Sequence, residues 1–117
     1  MHEINRFYLP LMRYLAVSIP PPDNKRFSFL ILDMKTMKSK KVSFGAPGGS
    51  IYLDHKNPET MKNYVARHKA SGKEDWTIKG IYTPGFWSRW YSWSKPTLKE
   101  VKKLMRRKFG IEIIFPS

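Results

Sequence analysis

The sequence predicts an α+β domain: a small antiparallel sheet, made of three N-terminal strands and one C-terminal strand, packed by about three helices. Three observations carry this expectation. Three short apolar runs lie close together before residue 45, separated by prolines and turn residues. From residue 57 to residue 110 the apolar period becomes helical, with cap residues at the ends of two segments. A last apolar run, Ile111 to Phe115, follows a glycine and is closed by Pro116, as suits a strand returning to the sheet.

Residues 1–12 mix Phe7, Tyr8, Leu9, Leu11 and Met12 with polar neighbours and read as an extended arm. Arg13 to Ile19 is the first strand, stopped by Pro20, Pro21 and Pro22, none of which has an N–H to donate. Asp23, Asn24 and Lys25 form a turn. Phe27 to Asp33 is the second strand. Its odd and even positions are both apolar toward the end, which predicts burial on both faces. Lys40 to Phe44 is the third strand, and the spacing favours a meander. Gly45 to Ser50 is a loop, and Ile51 to Leu53 a short extended piece.

Asn57 caps the first helix, with Pro58 at its first position and Glu59 in its first turn, where the positive end of the helix dipole favours a carboxylate. Met61, Tyr64, Val65 and His68 share one face, and Gly72 ends the helix. Thr83 and Pro84 open a short helix that is aromatic over most of its surface. Its Phe86, Trp90 and Trp93 share a helical face, with Trp87 and Tyr91 beside them. Thr97 and Glu100 form a capping box for the last helix. Leu98, Val101, Leu104 and Met105 are its apolar stripe, and Gly110 is its C-terminal stop. A chain of 117 residues so patterned is one domain, 1–117.

Composition narrows the function classes. Lys and Arg number 22 against 9 Asp and Glu, a formal net charge of +13, which draws polyanions toward the chain. The absence of Cys excludes a disulfide scaffold, a Cys-ligated zinc module and a thiol enzyme. No apolar run approaches the roughly 18 residues of a membrane span. An acidic residue and a proline interrupt the first apolar stretch, so a signal peptide is not expected. An aromatic share of 15% argues for a packed core rather than a disordered basic tail.

The charge is spread but densest at the end. Lys99, Lys102, Lys103, Arg106, Arg107 and Lys108 are opposed within their helix only by Glu100. Like charges three and four residues apart repel, and a bound polyanion relieves that repulsion. These six are the candidate polyanion-binding residues. The aromatic segment has three possible uses. In so small a domain large rings serve first as core. They also anchor protein partners, and they stack on single-stranded bases, with Arg89 and Lys95 then on the phosphates. Phe86, Trp87, Arg89, Trp90, Tyr91 and Trp93 are the candidate partner patch.

No catalytic constellation is visible, and an enzyme is not expected. Asp54, His55 and His68 lack metal-ligand spacing, Glu74 and Asp75 stand adjacent in a lysine-rich loop, and no cofactor is implied. The glycine-rich loop lacks the Gly-Lys-Ser/Thr of a phosphate cradle.

One series of motifs goes further. Asp54-His55-Lys56 is followed by Tyr64-x-x-Arg67-His68-Lys69, then by Glu74-Asp75-Trp76. After these come Thr83-x-Gly85-Phe86-Trp87-Ser88-Arg89-Trp90 and Trp93-x-Lys95-Pro96-Thr97-Leu98. Over roughly residues 40–105 this order resembles a family of short proteins of unknown function encoded by large nucleocytoplasmic DNA viruses. The resemblance implies a viral origin and carries no catalytic residue with it. It suggests a virion structural protein, a minor capsid or internal scaffold component, placed in the virion and in the host cytoplasm during assembly. The partners would be other viral capsid proteins, with nucleic acid or an anionic membrane surface on the basic helix. The alternatives are a genome-associated nucleic-acid-binding protein and, further off, a metal-dependent nuclease.

Overall fold

The strand Phe27–Asp33 (β2) is the centre of the molecule's hydrogen bonding. It pairs antiparallel with Tyr14–Ser18 (β1), Ala16 facing Ile31, and with Ser39–Phe44 (β3), Phe29 facing Val42. This is a computed structural model, and it describes residues 12–116; the arm expected over 1–12 lies outside the described residues except for Met12. The fourth strand, Ile111–Ile114 (β4), joins the sheet beside β1 in the order β3-β2-β1-β4. It runs parallel to β1, with Ala16 facing Ile113, so the sheet is mixed where an all-antiparallel one was expected. The chain crosses the sheet through its helices between β3 and β4 and therefore re-enters in the direction of β1.

Four helices follow the meander: α1 (Tyr52–His55), α2 (Pro58–Ser71), α3 (Pro84–Trp87) and α4 (Leu98–Phe109). Asn57 caps α2 by accepting from the N–H groups of Glu59 and Thr60, and Gly72 closes it in the left-handed conformation, as the sequence predicts. Thr97 accepts from the Glu100 N–H and Gly110 closes α4. Two elements depart from expectation. Residues 52–55 are a helical turn, because the Asp54 carboxylate reaches back to the Ile51 N–H. After α3 the chain widens into a π-helical turn over Ser88–Ser92.

α3, the π turn after it and α4 pack on one face of the sheet. Phe29 and Ile31 are sealed there with Val42, Phe44, Ile111 and Ile113, against Phe86, Trp87, Tyr91, Val101 and Met105. The expectation that β2 is buried on both faces toward its end fails: on the other face Leu30 is 38% exposed where Phe29 is 1%.

The β2–β3 hairpin turns on Asp33. Its carboxylate takes two bonds from Arg13, at 3.0 and 3.2 Å, and accepts the Lys35 N–H at 2.9 Å. These donors hold the Asp33 carboxyl down at about 2, first through the Arg13 guanidinium and then through the backbone N–H groups. A depressed carboxyl contributes stability that is complete above its unfolded pKa and is lost as pH falls through the folded value. Thermal melts should therefore show stability falling between about pH 4 and pH 2. Asp33→Asn should lower the melting temperature at pH 7 and flatten that acid dependence. An unchanged dependence would remove Asp33 from this role.

Candidate polyanion-binding face

Apolar residues fix which way α4 points. Val101 and Met105 are fully buried against the sheet, so the intervening cations must project from the helix's flanks and outer side. Lys99, Lys103, Arg106, Arg107 and Lys108 are exposed and Lys102 is half-buried. Of the six, Arg106 is committed elsewhere: its Nη2 donates to both oxygens of Glu112 on β4, at 2.7 and 2.8 Å. Among the described residues the other five form no ion pair with any carboxylate. Glu100, the one acid of the helix, is taken up by its cap, where the Thr97 hydroxyl donates to its carboxylate at 3.0 Å.

Two shallow depressions follow this row. One, of about 540 Å3, has Lys95, Lys103, Arg107 and Lys108 around Leu104, with Glu100 at its edge. The other, of about 400 Å3, lies among Lys99, Lys102, Lys103, Arg106 and Arg107. The six residues thus occupy the part of α4 outside its apolar stripe, and Arg106 is tied to Glu112.

The aromatic segment requires a correction. Phe86, Trp87 and Tyr91 are 0%, 0% and 4% exposed, so they cannot be partner contacts. Trp87 packs against both Phe29 and Phe44, and its Nε1 donates to the Ile81 carbonyl at 2.7 Å. The π turn is the reason. It spaces residues five apart along one side, so that Phe86 and Tyr91 both face inward and Trp90 turns to the edge. Burial pushes the Tyr91 hydroxyl up to about 12.

Trp93 is also occupied: it stacks on Tyr64 with ring centres 4.3 Å apart, and Tyr64 stacks in turn on His68 at 4.0 Å. Burial raises Tyr64 to about 12. Trp90 and Arg89 remain at the surface, both half-buried. The Trp90 Nε1 donates to the Trp76 carbonyl at 2.8 Å. The Arg89 guanidinium lies 4.3 Å from the Trp90 ring centre and 5.5 Å from that of Trp76.

The residues considered for metal or acid–base chemistry are dispersed. Asp54 is bound to Arg26 at 2.7 and 2.9 Å, Asp75 to Thr77, and Glu74 to Trp76 and His68. The Arg26 guanidinium holds the Asp54 carboxyl down at about 2. Among the described residues no three His, Asp or Glu side chains converge on a point. The glycine-rich loop turns the Gly49 carbonyl onto Arg26 and returns the Gly49 N–H to Ala46, which is not the geometry of a phosphate cradle. Gly85 instead admits Glu74, whose carboxyl carbon lies 2.8 Å from where a Cβ would stand. No described helix is long and apolar enough to cross a membrane.

The fold and this face define a small basic α+β domain with a cationic helix at one edge of its sheet. Residues 16–68, from within β1 through most of α2, are similar to DUF5754, described as a family of unknown function. This span starts before the motifs quoted above and stops short of the Gly85–Trp90 string and of α4. No curated protein and no solved structure matches the chain.

Proposed function

We propose that this domain is a binding protein, without catalysis of its own, that lays the outer face of α4 on a nucleic-acid backbone. The observation that carries this is the row of five cations, Lys99, Lys102, Lys103, Arg107 and Lys108, without a carboxylate partner among the described residues. A 12-residue helix is about 18 Å long, which spans several phosphates. The rings that would stack bases are inside the core or already paired with protein groups, so phosphate contacts supply the affinity.

In the viral setting implied by the sequence resemblance, this reading makes the protein a genome-associated component of the virion, assembled in the host cytoplasm. A specific observation also favours a capsid or scaffold contact. The other face of the sheet presents Leu30 and Ile114, both more than a third exposed, between half-buried Leu15, Val17 and Leu32. Fractionation of purified particles separates the two. Recovery with the nucleic-acid core, and release by salt or nuclease, is the expected result. Recovery with the stripped shell, at a fixed ratio to its major protein, would favour the capsid contact, and absence from the particle would overturn both.

A further inference from the structure

We infer that Arg89 and Lys108 together grip one phosphate group at the rim of the Trp90 ring, which adds a residue outside α4 to the nucleic-acid footprint. The inference rests on the polyanion reading above and names where on the face a phosphate is held.

Two cations from different elements converge on one indole. The Arg89 guanidinium, on the π turn, lies 4.3 Å from the Trp90 ring centre, and the Lys108 ammonium, in the last turn of α4, lies 5.2 Å from it. Neither has an ion pair among the described residues. Arg89 is the more exacting case. Its Nη1 donates to the Trp93 carbonyl at 2.8 Å, and its Nε is buried without a partner. Among the described residues its Nη2 makes no hydrogen bond and is not sealed from solvent. Taking a guanidinium half out of water with no carboxylate opposite is unfavourable, and stacking on Trp76 and Trp90 offsets only part of that. Burial accordingly pulls its pKa below the ordinary value.

The arrangement fixes the fork rather than neutralising it. Two indoles pack on the guanidinium, one nitrogen is spent on a carbonyl, and Nη2 keeps a free donor at the ring that Lys108 also approaches. A phosphate oxygen supplies what this site lacks: negative charge and acceptors for both groups. Lys108 also lines the 540 Å3 depression with Lys95, Lys103 and Arg107, so the grip is continuous with the row on α4.

The test is a titration of the full chain with a labelled mixed-sequence DNA duplex, followed by fluorescence anisotropy across roughly 50 to 200 mM salt. Wild type is compared with Lys108→Gln, Arg89→Gln and the double variant. Each single change should weaken binding about tenfold, as for loss of a charge-assisted hydrogen bond. Each should also make the salt dependence shallower by about 0.9 in log–log slope. The double variant should lose no more slope than either single one, since one phosphate is involved.

A double variant losing twice that slope would put the cations on separate phosphates and overturn the grip. Wild-type affinity in either single variant would overturn it as well. Arg89→Lys covers the case in which Arg89→Gln does not fold. It keeps the charge, so the slope should hold while affinity falls severalfold, and wild-type affinity there counts against the inference. A wild-type chain that does not bind the duplex at all would instead overturn the polyanion reading on which this one stands.

Discussion

Replacing Lys99, Lys102, Lys103 and Arg107 together with Gln should weaken binding to duplex DNA by about a hundredfold or more at moderate salt, and leave the fold intact. The four side chains lie on the flanks and outer side of α4 and none forms an ion pair with a described residue; the one ring contact among them, Lys102 at 6.0 Å from the centre of the exposed Phe115 ring, is a surface one. Arg106 is kept as it stands because its bond to Glu112 ties α4 to β4. With five phosphate contacts the wild-type log–log salt slope should be about −4.5, and removal of four should bring it to about −0.9.

The same substitutions separate like charges spaced three and four residues apart, so the melting temperature should hold or rise. That pairing of results is diagnostic. Lost binding with unchanged or higher stability assigns the cations to a ligand. A drop in melting temperature would mean that they hold the domain together, and unchanged affinity would remove α4 from the interface.

Trp87→Ala should be the most damaging single change in the core. The side chain is fully buried against Phe29 and Phe44 and donates to the Ile81 carbonyl, so truncation removes packing, opens a cavity and strands an acceptor. Truncations of this kind cost about 3–5 kcal/mol, which in a domain of this size lowers the melting temperature by roughly 15–30 °C. Trp90→Ala, at the half-buried edge, should cost far less. Trp87→Phe should recover most of the packing but leave the Ile81 carbonyl without its donor, at about 1–2 kcal/mol. Equal effects of the two alanine variants on stability would contradict the placement of Trp87 inside and Trp90 at the rim.

Much of the architecture could be read before any coordinates. Phe27–Asp33, α2 and α4 begin and end where side chains say they must, because Asn57, Thr97, Gly72 and Gly110 each satisfy or release specific backbone groups. Local chemistry of that kind is written in adjacent residues. The direction of β4 is not, since Ile111–Ile114 fits equally well antiparallel or parallel until the path of the helices is known. Nor is the exposure of Leu30, which depends on how many layers cover the sheet.

The candidate site divides in the same way. The cationic row of α4 follows from a 3.6-residue period and one visible stripe of apolar residues. The aromatic segment defeated the same reasoning, because a π turn carries no side-chain signature. A regular helix groups Phe86 with Trp90 and Trp93, whereas the observed turn groups Phe86 with Trp87 and Tyr91. The commitment of Arg106 to Glu112, six residues on, was also invisible, since the two are joined only by the turn at Gly110.

The parallel pairing of β1 with β4 has a temporal meaning. Tyr14 and Ile111 are neighbours in the sheet, yet almost the whole described chain is synthesised between them. Until the last strand emerges, one edge of β1 has no partner, and the layer that buries Phe29 and Ile31 lacks Val101 and Met105. Closing so long a loop is slow compared with hairpin formation, and it comes last. The meander can therefore form early, while its open edge stays prone to pairing with other chains until the basic helix docks. The element that carries the charge is thus also the one that completes the fold, so a chain cut short before it would lack binding capacity and solubility together.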